Sequence, residues 1–329
     1  MKALIIPKPG TAEVREMEPP VPDPREVCIE VAACGVCGTD IHIYKGEYLG
    51  EYPIAPGHEF SGTVTAIGEG VTRFRPGDRV AVEPNIACGN CPECLSNRQN
   101  FCRNWTAVGV TEPGGMAEYV KAPEPNVFAI GDLSFEAAAF VEPLSCVLHG
   151  IRKVGIDFAD RVAVLGAGPI GQLIIRSLRA RGVSFIAAAE RSRSRAELAR
   201  ASGADLVEHD PDRLEREGFD VVVDATGVVA VMERTVDFVR PGGRILLFGV
   251  PPKDAVMRIE PFRLFRYGLT VVSSYTSRRN SFMALNMLDS GRVRVDDLIS
   301  HRFALSDFPA AVELIESGAD DVRKVLLVP

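Results

Sequence analysis

The chain has 329 residues, which at about 100–200 residues per domain points to two domains. With 46% hydrophobic and 25% charged residues the composition is that of a globular protein, and it excludes collagen, coiled coil and wholesale disorder. Thirty-seven basic against 44 acidic side chains leave a net charge of −7, which argues against a chain whose work is gripping nucleic acid or an anionic membrane.

The start, Met1-Lys2-Ala3-Leu4-Ile5-Ile6-Pro7, carries one basic residue and an apolar stretch too short for a signal peptide. The longest nearly apolar run, 162–175, is broken by Gln172 and is too short to span a bilayer. The expected location is the cytoplasm, where thiols stay reduced, so the eight cysteines point to metal ligation or catalysis and not to disulfides.

In chain order, the first part reads as β-rich. Residues 26–33, 59–67 and 79–82 are short β-branched segments between Gly and Pro clusters, and 115–121 is a further strand. From about Ser134 the texture changes, and Phe135-Glu136-Ala137-Ala138-Ala139 opens a helical stretch. Strands at 161–165, 184–190, 219–224 and 243–248 then alternate with helices at 170–181, 192–202 and 228–239. That rhythm predicts an α/β domain built on a doubly wound parallel sheet. After Ser273 it lapses into helices at 282–289 and 308–317 and a last strand at 324–328.

The first alternating strand runs directly into Gly166-Ala167-Gly168-Pro169-Ile170-Gly171. Glycines recur by chance, but here a buried strand precedes the string, a helix follows, and Glu190 closes the next strand. Gly166 permits the tight turn, Gly168 lets a pyrophosphate approach the helix N-terminus, and Gly171 allows close packing of helix on strand. The Glu190 carboxylate is suited to the adenosine ribose, which favours NAD. Arg191, Arg193 and Arg195 follow at once and are able to accommodate a 2′-phosphate, so NADP stays open.

Cys88-Gly-Asn-Cys91-Pro-Glu-Cys94, completed by Cys102, has the spacing of a closed four-sulfur zinc site. Such a site is structural, because no coordination position remains for substrate. An iron–sulfur cluster or free thiols are the rival readings; a nucleic-acid zinc knuckle fits poorly, with only Arg98 and Arg103 nearby. Three further elements, Cys37-Gly38-Thr39-Asp40-Ile41-His42, Gly57-His58-Glu59 and Val141-Glu142-Pro143, are each unremarkable alone.

Taken together and in this order, the motifs resemble the zinc-dependent medium-chain dehydrogenases, in particular the polyol (sorbitol-type) and threonine dehydrogenase branch. The resemblance covers nearly the whole chain. It implies a GroES-like β-rich catalytic domain from residues 1–145 and 276–329, and a Rossmann domain from 146–275. It also implies two zinc ions per chain. Cys37, His58 and Glu142 look like ligands of a catalytic zinc, with Glu59 a close neighbour that binds the metal directly or through water. Asp40 looks like the carboxylate that orients His58. Thr39 and His42 are placed by the same resemblance to relay the released proton. Further cofactor contacts are implied for Arg195, for Gly249 and Val250, and for Ser273, Ser274 and Tyr275.

Cys34 and Cys37 form a C-x-x-C, but no thioredoxin-like context surrounds them, and Cys34 and Cys28 read as packed core. Cys146, one helical turn after Glu142, is a weaker ligand candidate. The implied activity is transfer of a hydride from a secondary alcohol to NAD, giving a ketone. Cys37 to Tyr44 looks as much like threonine dehydrogenases as polyol enzymes, whereas Glu142 to His149 lacks the Gly-Asn-Ala run of the former. That tilts the substrate toward a sugar alcohol or vicinal diol. L-Threonine 3-dehydrogenase and a catalytically inert nicotinamide-binding protein of the same fold are the alternatives. The resemblance also implies a homo-oligomer, dimer or tetramer, with no membrane or nucleic-acid partner.

Overall fold

The computed structural model describes residues 1–48, 51–319 and 321–329. The chain forms two compact units, Met1–Ser145 with Ser277–Pro329, and Cys146–Thr276.

The first unit is built on a seven-stranded sheet. Its strands run in the order Ile299–Ala304, Lys324–Val328, Glu26–Gly35, Glu59–Ile67, Arg79–Val82 and Val127–Ala129, with Tyr119–Pro123 also paired to Glu26–Gly35. In the central strand Val27, Cys28, Ile29 and Val31 are buried and Glu30 is exposed. The core includes Phe60, Val80, Met116 and Phe308. At the end of the central strand, Gly35 pairs with Glu59 on one side and with Leu326 of the terminal strand on the other.

The strand expected at 115–121 lies at Tyr119–Pro123. Gly115 instead serves close packing, since a Cβ there would meet the Phe60 ring at 2.5 Å. An N-terminal hairpin, Lys2–Lys8 with Thr11–Glu16, was not expected; its turn depends on Gly10 at φ 75°.

The second unit holds a six-stranded parallel sheet in the order Leu206–Glu208, Phe185–Ala189, Arg161–Leu165, Phe219–Asp224, Val239–Leu247, Thr270–Ser273. Numbered along the chain this is 3-2-1-4-5-6, the doubly wound order of dinucleotide-binding sheets. Val162 to Leu165 are fully buried, as strands covered on both faces must be. The helix Pro169–Ala180 opens with proline, whose missing N–H costs nothing at a helix start, and it buries Leu173, Ile174, Ile175 and Leu178. The four strands expected from sequence are the centre of this sheet. The two edge strands escaped because Leu206–Glu208 is short and Thr270–Ser273 is largely exposed, so neither carries an apolar run. Among the described residues no helix is long and apolar enough to cross a membrane.

Candidate active site and metal centres

Among the described residues of the first unit, two groups of side chains are arranged so that they could hold a metal ion. One comprises Cys37, His58 and Glu59, whose ligand atoms all lie within 4.8 Å of one another. Cys37 is the N-cap of the helix Gly38–Lys45, and His58 and Glu59 stand where the strand Glu59–Ile67 begins. Gly57 makes that approach possible. It sits at φ 99°, and a Cβ there would come within 2.6 Å of Met116 Cγ and 2.8 Å of Cys34 Sγ.

Asp40 ties the two segments together. Its Oδ2 accepts from the Cys37 amide at 2.8 Å, its Oδ1 accepts from the Gly57 amide at 3.2 Å, and Oδ1 lies 3.4 Å from His58 Nδ1. Asp40, His58 and Glu59 are all buried. Burial opposes a charged His58, yet Asp40 and Cys37 outweigh it and hold the imidazole pKa well above its ordinary value. His58 Nδ1 is a buried polar atom with no hydrogen-bond partner. A cation on Nε2 would leave the ring proton on Nδ1, facing Asp40. The donor set of one thiolate, one imidazole and one carboxylate suits zinc.

Glu142, the carboxylate the resemblance implies as a ligand, lies on another element. It is buried in the first turn of the helix Val141–Val154, and the carboxylate grouped with Cys37 and His58 is that of Glu59. Thr39 is half-buried in the first turn of the helix that Cys37 caps. The His42 imidazole is 2.8 Å from Glu47 Oε2. Cys34 is fully buried, and burial pushes its thiol pKa well up, which is the behaviour of core and not of a redox pair. Sequence reasoning missed Lys324. This buried side chain donates to the Val36 carbonyl at 3.0 Å and forms an ion pair with Glu59. Its one signal was a charge opening an otherwise apolar terminal strand, Lys-Val-Leu-Leu-Val.

The second group is Cys88, Cys91, Cys94 and Cys102, in a loop pinned at its base by the short pair Asn85–Ile86 and Thr106–Ala107. Cys88 Sγ and Cys94 Sγ are 4.0 Å apart, and Cys91 Sγ and Cys102 Sγ are 3.9 Å apart. Tetrahedral zinc with bonds of about 2.3 Å has sulfur–sulfur edges of about 3.8 Å, so the four sulfurs already stand close to that geometry. The amides of Asn90 and Cys91 lower the Cys88 thiol pKa to about 6, while burial pushes the Cys94 thiol up to about 12.

In the second unit the glycine turn is formed. Gly166 is at φ 91°, where a Cβ would meet Thr226 Cγ2 at 2.6 Å, and a Cβ on Gly171 would collide with the Gly166 carbonyl. A Cβ on Gly168 would meet nothing within 4 Å. Open space therefore faces the helix N-terminus, where the first amides lack intrahelical acceptors. The Pro169 and Ile170 positions are the first residues of that helix.

Glu190 is buried and anchors the turn. Its Oε2 accepts from the Ala167 amide at 2.9 Å, and its Oε1 accepts from the Ser192 amide at 2.9 Å and from Arg195 Nη2 at 3.0 Å. Register pairs Leu165 with Asp224, Asp224 with Leu247, and Leu247 with Ser273. Gly249 and Val250 therefore leave the same carboxyl edge of the sheet as the glycine turn, as do Ser273, Ser274 and Tyr275. That edge is where parallel α/β sheets bind ligands.

The parallel sheet with its glycine turn has the form of a dinucleotide-binding domain, and the other unit carries two candidate metal centres, the pairing found in metal-dependent dehydrogenases. Family models agree: the alcohol dehydrogenase GroES-like domain matches residues 23–132, and the zinc-binding dehydrogenase domain matches residues 169–290. D-altritol 5-dehydrogenase of Agrobacterium fabrum is 37% identical over 316 residues, covering 93% of this chain and 94% of that one. A chain described as a zinc-binding dehydrogenase of Sinorhizobium meliloti 1021, bound to NADP, superposes with TM-score 0.95 at 34% identity over 100% of this chain and 99% of its own. An Escherichia coli CFT073 alcohol dehydrogenase complexed with NADH gives TM-score 0.93 at 30% identity, covering 100% and 99%. The chain belongs to the zinc-dependent medium-chain dehydrogenase family. It is accordingly a secondary-alcohol dehydrogenase, an oxidoreductase acting on CH–OH donors.

Proposed function

We propose that the chain oxidises one secondary hydroxyl of a sugar alcohol or other vicinal diol to a ketone, using NAD, as a cytoplasmic homo-oligomer. The observation that carries this reading is the convergence of Cys37, His58 and Glu59, with His58 and Glu59 buried and the Asp40 carboxylate beside His58. Thiolate, carboxylate and neutral imidazole together match the charge of a divalent ion and leave a coordination position for a substrate oxygen. The D-altritol dehydrogenase relative supports a polyol.

When bound, zinc supplies a Lewis acid for the alcohol oxygen and NAD accepts the hydride. The residues do the rest. Asp40 holds the His58 tautomer and the Cys37 backbone in one geometry. The Thr39 hydroxyl, able to accept and donate, takes the alcohol proton and passes it toward His42, whose pairing with Glu47 orients the ring. Glu142 supplies a further carboxylate toward the metal. Cys88, Cys91, Cys94 and Cys102 hold the structural zinc. Gly166, Gly168 and Gly171 admit the pyrophosphate, and Glu190 with Arg195 meets the adenosine end.

Metal analysis with a substrate panel tests the reading. About two zincs per chain and NADH formation with polyols are expected; one zinc, confined to the cysteine loop, and no turnover would mark an inert nicotinamide-binding protein. Threonine in the same panel separates the two substrate classes. Glu142→Ala is expected to abolish turnover while leaving NAD binding and folding intact, and near-normal turnover would remove Glu142 from the scheme.

A further inference from the structure

Lys324 opens the terminal strand with its ammonium buried beside Glu59. An unpaired lysine in such a place would be strongly unfavourable, so its surroundings are informative. Strand register shows how the pair is made. Glu59 and Leu326 flank Gly35 on opposite sides, so the Lys324 side chain reaches Glu59 across the Gly35 backbone. A Cβ on Gly35 would lie 2.7 Å from Lys324 Cε and would collide with the Glu59 carboxylate. Glycine thus keeps open the lane in which the two charges meet.

The Glu59 carboxylate pairs with the ammonium, and Asp40 belongs to the same buried cluster. Glu59 therefore has two claimants, a lysine that stays in place and a metal held in common with Cys37 and His58.

We propose that Lys324 is a positioning residue that shares the Glu59 carboxylate with the metal, restraining how firmly Glu59 binds it. This rests on the reading of Cys37, His58 and Glu59 as the catalytic metal site. The carboxylate oxygen engaged by the ammonium has less electron density to offer a cation, and the ammonium repels that cation directly. The site thereby keeps a coordination position free for a substrate oxygen. Without the lysine charge, Glu59 belongs to the metal alone.

The test uses the full-length zinc-loaded protein. Zinc release into 4-(2-pyridylazo)resorcinol is followed in time, with metal content measured before and after. Lys324→Gln removes the charge but keeps an N–H donor for the Val36 carbonyl; release of the non-loop zinc is expected to slow about ten-fold. Lys324→Arg keeps the charge and is expected to stay within about two-fold of the unmodified protein. In the cobalt-substituted protein, Lys324→Gln is expected to change the visible d–d band intensity and Lys324→Arg to preserve it.

Retention of the cysteine-loop metal reports that each variant is folded, and Lys324→Met replaces Lys324→Gln if the latter does not fold. Release at the unmodified rate in the charge-removed variant overturns the role of Lys324. Unmodified protein with one zinc per chain instead overturns the metal site on which the role depends, so the two failures are distinguishable.

Discussion

Asp40 Oδ1 lies 3.4 Å from His58 Nδ1, with both side chains buried, while the second Asp40 oxygen holds the Cys37 amide. One carboxylate therefore aligns two candidate metal ligands that are distant in sequence. Asp40→Asn keeps the size but loses the charge that faces His58 Nδ1. Metal affinity at this centre is expected to fall by about 10–100-fold, with the cysteine-loop zinc retained. Competitive chelator titration of the purified variant measures it.

The loop holding Cys88, Cys91, Cys94 and Cys102 has almost no apolar core of its own beyond the cysteines, Ala87 and Trp105. Its order should then depend on metal. Cys91→Ser is expected to lose one zinc per chain and to expose the loop to proteolysis between the strands Asn85–Ile86 and Thr106–Ala107. Limited proteolysis with mass spectrometry locates the cuts, and unchanged resistance at one zinc per chain would falsify a structural role for that ion.

Both oxygens of Glu190 are engaged by protein donors, including Arg195 at 3.0 Å. That guanidinium offsets the carboxylate charge that would repel a 2′-phosphate. Arg195→Ala is expected to sharpen the preference for NAD over NADP about ten-fold in the ratio of kcat/KM values, chiefly through poorer use of NADP. A ratio that stays constant would place cofactor choice elsewhere.

Glu124 supplies a pH test of stability. Its Oε1 accepts the Arg73 amide at 2.6 Å and the Thr72 amide at 2.8 Å, and these bonds hold its carboxyl pKa below the ordinary value. A folded-state value below the unfolded one contributes stability in full above the unfolded pKa, about 4.3, and loses it as pH falls through the folded value. Glu124→Gln is expected to lower the urea midpoint at pH 7, and its deficit should shrink below about pH 4. Midpoints measured across that range check the sign.

Features whose parts lie close together along the chain were legible in the amino-acid order. The glycine turn sits between a strand and a helix that are contiguous with it. The four cysteines lie within one short loop, so their spacing alone restricts the geometry. The central parallel strands announced themselves because burial on both faces demands unbroken apolar runs such as Val162 to Leu165. The short or exposed edge strands, Leu206–Glu208 and Thr270–Ser273, carry no such demand and left no pattern.

The grouping around Cys37 and His58 is of another kind. By resemblance the chain implied Glu142 as a ligand and Glu59 as a close neighbour of the metal, and the folded structure brings Glu59 together with Cys37 and His58. Lys324, hydrogen-bonded to a residue 288 positions away, was invisible, because one charge at the mouth of an apolar strand looks like any solvated strand end. What the sequence determined alone was local: turn, loop, and the alternation of strands and helices. Which distant charges meet across Gly35 was decided by the pairing of three strands, and cross-strand register depends on how whole faces are buried, which no local spacing encodes.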